Sequence, residues 1–303
     1  MAPAIQVVVH QDDVGMNHGA NAAFAELFGL GICTAGSVMV PCPWFLEVAE
    51  MQARSPALDI GVHLVLTSEF RTYRWRPLTS ASQASGLVDG DGYFWRTAKE
   101  TRDHAHKDAV EAELRAQVEA AKAAGIDITH IDAHMFTALC PDYTDIYTAL
   151  GREERVPVLL VRQDAAYGSM QKGPALDVAI EAADRDRLPV FDRVLETPWK
   201  RGVSVEADYD ALFDRLRPGL NYMALHFNQP GEIAWIEPEP KDIRTEEYAL
   251  FKSEWIAKRL AGCELIGMRG LRDELRRGPY AATKVDSPAS GERSRNGTQP
   301  LST

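Results

Sequence analysis

Short apolar runs of strand type alternate with helical stretches along most of this chain, and that alternation constrains the fold more than any other feature. The candidate strands are AIQVVVH (4–10), TAGSVMV (34–40), DIGVHLVL (59–66), DITHID (127–132), VPVLLV (156–161), RLPVFDRV (187–194) and LNYMALHF (220–227), with a weaker ELIGMR (264–269). Helical stretches lie between them at 18–31, 43–54, 107–125 and 245–262. Strands separated by helices form βα units around a parallel sheet, and seven to eight of them in alternation predict a closed or nearly closed (β/α) barrel. In the 107–125 helix Val110, Leu114 and Val118 recur at i, i+4 and i+8 and Gly125 supplies the stop, so that helix faces a core.

One long connection breaks the rhythm. Residues 68–106 carry Ser and Gly turn signals and a hairpin pattern, SGLVDGDGYFW (85–95), with Asp-Gly twice. This insertion over the barrel mouth also holds Trp75, Tyr93 and Trp95. Long connections are uncommon unless functional, and exposed aromatic rings are surfaces on which a sugar stacks, so these three are candidate substrate contacts. A small satellite core is the alternative. Beyond Arg277 the chain turns rich in Ser, Gly, Pro and charge, which predicts a disordered tail over 279–303 and one barrel domain over 1–278.

Charge and cysteine content narrow the partners. Lys plus Arg number 33 against 44 Asp plus Glu, a net charge of −11, which argues against nucleic acid or an anionic membrane surface. Cys33, Cys42, Cys140 and Cys263 form no CxxC pair and read as reduced thiols. Residues 1–30 lack a secretion signal and no apolar run approaches the length of a membrane span, so a cytoplasmic protein is expected. A homo-oligomer is compatible with this reading, and the oligomeric state stays open.

The chemistry concentrates at strand ends. Asp12 and Asp13 follow the first strand, where barrel enzymes place catalytic groups; two adjacent carboxylates repel, and a divalent metal is the simplest resolution. A helix-capping pair ahead of residue 18 is the alternative. His63 stands in an otherwise apolar strand and reads as a core residue until other ligands join it. THIDAHMF (129–136) supplies them, but in a strand His130 and His134 stand about 13 Å apart, too far for one ion. His134 at the strand end is therefore the expected ligand, with His130 structural and Asp132 below it, able to orient a ligand imidazole. His226 ends LNYMALHF and is a candidate general acid.

Asp12-Asp13-Val14-Gly15, GVHLVLT (61–67) and THIDAH (129–134) together resemble the YdjC-like carbohydrate deacetylases, which include chitooligosaccharide deacetylases and are more distantly similar to polysaccharide deacetylases. The likeness runs from about residue 4 to 275. The resemblance implies an incomplete (β/α) barrel, one divalent metal ion and removal of an acetyl group from an N-acetylated amino sugar or oligosaccharide. Carried over by position, the metal ligands fall on Asp13, His63 and His134, and Asp12 becomes the base. Mg²⁺ is favoured by the resemblance, and Zn²⁺ also suits a mixed histidine-carboxylate set. Here Met135-Phe136-Thr137 stand where many relatives carry further histidines. The expected partner is a small-molecule carbohydrate. A metal-dependent hydrolase of another bond and a non-catalytic carbohydrate-binding protein on the same barrel are the alternatives.

Overall fold

Every strand of the sheet runs parallel to its neighbours, in the order β4-β3-β2-β1-β6-β5 with β7 added on β1. These are β1 (Ile5–Val14), β2 (Ala35–Val38), β3 (Ile60–Leu64), β4 (Ile128–Ala133), β5 (Arg193–Glu196), β6 (Gly219–Leu225) and β7 (Cys263–Leu265). The computed structural model describes residues 4–79, 82–162, 173–238 and 242–278. The tail expected over 279–303 lies outside them.

β1 organises the sheet. Along one edge it pairs with β6 from Ile5 to Gln11. The other edge is shared, with Val7 O accepting from Ile266 N beside β7 and Val9 O accepting from Thr34 N beside β2. The ladder does not close between β4 and β5. Residues 157–162 span that gap by isolated parallel bridges, Ile131 to Val158 and Val161 to Phe191, so the fold is an incomplete (β/α) barrel.

The pleat sorts side chains into two cores. Val7 and Val9 face outward into a cluster that runs through Phe24, Leu114 and Phe251 under the helices, whereas Val8 faces inward with Tyr222, Ala224 and Phe191. On the inner face the same period continues into His10, His63, His130 and Asp132, all buried. A barrel interior filled with hydrogen-bonding groups must satisfy each of them, which ties the interior to the site above it. Gly61 shows how tight that interior is. A Cβ there would meet the His130 ring at 2.6 Å, so Gly61→Ala is expected to cost about 1–3 kcal/mol, measured as a lower urea midpoint without a changed slope.

The helices are α1 (His18–Gly29), α2 (Phe45–Arg54), α3 (Ala98–His104), α4 (Lys107–Ala123), α5 (Thr144–Glu154), α6 (Pro174–Asp186), α7 (Val205–Phe213), α8 (Ile233–Ile236), α9 (Ile243–Phe251), α10 (Glu254–Leu260) and α11 (Met268–Arg277). Several expected bounds shift for local reasons. Asn17, not the aspartate pair, caps α1, its side chain accepting from Ala20 N. The single helix expected at 245–262 is two, because Ser253 breaks it and caps α10. The strand expected at 264–269 stops at Leu265, since α11 begins at Met268.

The insertion forms no extended hairpin. Among its described residues it has one isolated antiparallel bridge, Val88 to Phe94, and a tight turn in which Gly92 N donates to Asp89 O. Its aromatics pack among themselves and their neighbours. The Trp75 indole is buried and donates to Thr67 O at 2.8 Å, Tyr93 lies under the Arg76 guanidinium at 4.4 Å, and Trp95 stacks on His104 at 4.3 Å. Cys33, Cys42 and Cys140 are buried free thiols, and among the described residues no helix is long and apolar enough to cross a membrane.

Candidate active site at the strand ends

β1 does not stop before the two aspartates; it carries them. In a regular strand Asp12 and Asp13 would point to opposite faces. The pairing with β2 shifts register between Gln11 and Val14, and Asp13 adopts φ 59°, a left-handed conformation uncommon outside glycine. That bulge brings both carboxylates to one cleft of about 320 Å³, within the range of small-molecule sites. The strain at Asp13 is tolerated because its carboxylate is gripped from several sides.

Three strand ends meet there. Asp13 Oδ1 lies 3.4 Å from His63 Nε2 and 3.0 Å from His134 Nδ1. Asp13 Oδ2 accepts from Arg244 of α9 at 2.8 Å. Behind the imidazoles stand more carboxylates: His63 Nδ1 is 2.9 Å from Asp132 Oδ1, and His134 Nε2 is 3.0 Å from Glu69. Asp132 is fixed in turn by Ser37 and Tyr222 hydroxyls at 2.9 and 3.0 Å. Each imidazole thus has one nitrogen committed to an outer carboxylate and the other aimed at Asp13, an arrangement that fixes its tautomer.

Donors each about 2.1 Å from a shared ion, at tetrahedral or octahedral angles, stand about 3.0–3.4 Å apart. The two separations from Asp13 Oδ1 fall in that range, so the donor set fits a divalent cation. Two other groupings come as close, His10 with His130 and Asp132, and Asp12 with His63 and Asp132. The first lies wholly off the cleft, and the second depends on Asp132, which does not line it. The Asp13, His63, His134 group opens onto the cleft, which leaves coordination positions for a water or substrate.

Electrostatics favour a cation. Burial alone would raise the Asp13 carboxyl, but His134 and Arg244 beside it hold it well below the usual carboxylate range. Burial would lower the His134 imidazole, and Glu69 and Asp13 reverse that to about 9. His63 is likewise raised against its burial, chiefly by Asp132. The carboxylates therefore hold protons on the imidazoles, and a metal would displace them.

Asp12 lies at the end of a buried hydrogen-bonded chain. Its Oδ1 is 2.6 Å from His10 Nδ1, His10 Nε2 is 2.8 Å from His130 Nε2, and His130 Nδ1 is 2.9 Å from the Thr129 hydroxyl. Burial pushes both imidazoles down to about 4, so each is neutral. With an ionised Asp12 the donors run one way, Thr129 to His130 to His10 to Asp12. His130 belongs to this interior chain and not to the cluster around Asp13.

His226 lines the cleft with its Nε2 4.0 Å from Asp13 Oδ2 and its ring against Trp199 at 4.7 Å. Trp75, Tyr93 and Trp95 do not line this cleft; Trp75 backs the His134 ring at 6.0 Å. Sequence reasoning missed Arg244, Glu69, Glu196, Trp199 and Glu237, which complete the lining. Glu69, Trp199 and Glu237 lie in loops and Arg244 on a helix, where no periodicity marks them, and Glu196 ends β5 beyond the strand expected at 187–194. Arg244 bridges Asp13 and Glu237, at 2.8 and 2.6 Å, and lies over the Trp199 ring.

Fold and cluster define the class: an incomplete (β/α) barrel with a buried histidine-carboxylate centre at the carboxyl ends of its strands. Within that class the chain belongs to the YdjC-like protein family, whose pattern matches residues 6–262. It is similar to a carbohydrate deacetylase of Thermus thermophilus, 31% identical over 279 residues that cover 89% of this chain and 94% of that protein. A chitooligosaccharide deacetylase of Yersinia enterocolitica is 29% identical over 54% of this chain and 62% of its own. A solved structure from Enterococcus faecalis, provisionally named a cellobiose-phosphate cleavage protein, superposes with a TM-score of 0.72. It is 20% identical and the match covers 88% of this chain and 99% of that one, a likeness of fold.

Proposed function

We propose that this protein is a metal-dependent deacetylase that hydrolyses the N-acetyl amide of an amino sugar or oligosaccharide. The observation that carries the reading is the cluster of Asp13, His63 and His134 opening onto a cleft that Asp12 also lines, in a chain whose relatives are named carbohydrate deacetylases. Asp13, His63 and His134 would hold the ion, which when bound supplies Lewis-acid polarisation of a carbonyl and a more acidic water. Asp12, lining the same cleft, accepts the water proton while His10 holds its other face. His226 donates a proton to the departing amine nitrogen. Glu69 and Asp132 keep the ligand imidazoles in the required tautomer.

The cleft lining argues against a phosphorylated substrate. Its one guanidinium, Arg244, is already paired with Asp13 and Glu237, and its protonated imidazoles, His63 and His134, already face Asp13, Asp132 and Glu69, so no cation of the described lining is left for a phosphate. A neutral acetamide leaving as an amine suits such a surface better than a phosphate dianion. Acetate release from a panel of N-acetylated sugars, with phosphate release from sugar phosphates run alongside, tests the reading. Phosphate release without acetate release would reject it.

Two imidazoles beside one carboxylate suit Zn²⁺ better than the oxygen-seeking Mg²⁺. After chelation, Zn²⁺ is therefore expected to restore turnover at concentrations at least about tenfold below those needed for Mg²⁺. A titration of activity against each metal checks this, and the reverse order would return the assignment to Mg²⁺.

A further inference from the structure

Behind His226, on the side away from the cleft, lies a second buried acid that the site described above does not use. Glu247 of α9 has no exposed surface. Its Oε2 accepts from the His226 backbone N–H at 2.5 Å, and its Oε1 faces the Thr197 hydroxyl at 2.7 Å and the Tyr209 hydroxyl. Thr197 Oγ1 lies 2.8 Å from His226 Nδ1. One hydroxyl therefore sits between a carboxyl and an imidazole whose far nitrogen lines the cleft.

We propose that Glu247, Thr197 and His226 form a proton relay in which Glu247 stores the proton that His226 Nε2 delivers into the cleft. Hydroxyl polarity dictates the logic, because Thr197 has one hydrogen and must point it at only one neighbour. With Glu247 protonated, its O–H donates to Thr197, Thr197 donates to Nδ1, and Nε2 carries the hydrogen. With Glu247 ionised, Thr197 donates to the carboxylate, Nδ1–H donates to Thr197, and Nε2 is bare.

The catalytic use of this relay rests on the deacetylase reading. As the amide C–N bond of the tetrahedral adduct breaks, its electron pair goes to nitrogen and that nitrogen takes the Nε2 proton. Nδ1 receives the Thr197 proton, and Thr197 receives the Glu247 proton. One proton leaves the relay, Glu247 ends ionised, and the imidazole is neutral before and after. Glu247 is thus a positioning and proton-supplying residue acting through His226.

The surroundings suit storage near neutrality. Burial pushes Glu247 up to about 7, against the pull of the Tyr209, Thr197 and His226 N–H donors and the more distant Arg244 charge. Tyr209 from α7, Thr197 after β5, His226 after β6 and Arg244 on α9 are the charged or titratable neighbours and donors that face it. An ordinary glutamate would have given up its proton well below that range.

Nitrogen-15 NMR of the histidine-labelled full chain tests the relay without any substrate, with the His226 signals assigned by their loss in His226→Gln. On crossing the midpoint of about 7, the ring is expected to change tautomer, from Nε2–H to Nδ1–H, and not charge. In Glu247→Gln the backbone N–H of His226 keeps the amide oxygen, so the amide nitrogen donates to Thr197 and the ring stays Nε2–H at every pH. Thr197→Val is expected to abolish the pH-linked switch and Thr197→Ser to keep it. A wild-type ring that holds one tautomer throughout, or a Thr197→Val ring that switches as wild type does, would overturn the relay. In kinetics, Glu247→Gln and Thr197→Val are expected to lose about 10²-fold in kcat with KM little changed, and Thr197→Ser to stay close to wild type. A switching ring with unaltered kcat in Glu247→Gln would overturn its catalytic use. Absence of acetate release from the wild-type protein would instead reject the deacetylase reading, leaving the NMR result to decide the relay.

Discussion

Asp13→Ala is expected to leave the purified protein without a bound divalent ion and to reduce acetate release at least about 10³-fold. Asp13 Oδ1 is the atom that His63 and His134 both face, so its removal takes the shared vertex out of the ligand set. Two imidazoles then remain, each backed by its own carboxylate, and the ion loses its only anionic ligand in that group. The change also strands Arg244, buried and 2.8 Å from Asp13 Oδ2, with Glu237 as its remaining anionic partner. Leaving a buried cation short of a partner costs about 3 kcal/mol, so the apo variant is expected to unfold at lower urea than apo wild type. Asp13→Asn separates the two effects, because it keeps a hydrogen-bond acceptor for Arg244 while weakening the ligand. Metal analysis by plasma emission together with urea melts of both variants checks this. An Asp13→Ala protein that retains stoichiometric ion would sink the ligand assignment.

The parts of this site that were legible in the sequence are those that ride on a strand's period of two. His63 in IGVHL and His134 just past ITHIDA fall on the inner face by counting residues, and Asp132 falls on the same face behind them. The aspartate pair was legible as chemistry but not as geometry. Counting places Asp12 inward and Asp13 outward, and only the register shift and the positive φ at Asp13 bring both into one cleft. No glycine marks that bulge, so nothing in the residue types announces it.

Arg244, Glu69, Thr197 and Glu247 were illegible for a different reason. Each lies in a loop or helix distant in sequence from what it touches, Arg244 being 231 residues from Asp13, and a charged residue on an amphipathic helix reads as a solvated face. The strand expected at 156–161 is reduced to isolated bridges, and Pro157 bears on its β4 side. Pro157 has no N–H to give, and its carbonyl accepts from Ile131 N, leaving an isolated bridge on that side where a ladder was expected. That segment lies in the gap between β4 and β5, bridged to Ile131 on one side and to Phe191 on the other.

Asp12→Asn is expected to keep the ion and the fold yet lose about 10²–10⁴-fold in turnover, because an amide can fill the space and accept from His10 but cannot take a proton from water. The contrast with Asp13 follows from their surroundings. Asp13 is surrounded by cationic and imidazole groups, whereas Asp12 is held by the neutral chain from Thr129 through His130 and His10. Burial pushes the Asp12 carboxyl well above the usual carboxylate range, with His63 opposing it. A base must be ionised to act, so turnover should rise with pH along an acid limb and fall as pH drops through the Asp12 midpoint. In Asp12→Asn that limb should vanish along with most of the rate. His10→Asn shortens the side chain that holds Asp12, and it should lower turnover by a smaller factor while leaving the limb in place. Metal content and pH profiles of kcat/KM for the three proteins decide the matter. Turnover of Asp12→Asn within about tenfold of wild type, with the acid limb intact, would move the base elsewhere in the cleft, with Glu69, Glu196 and Glu237 the other carboxylates of its lining to examine.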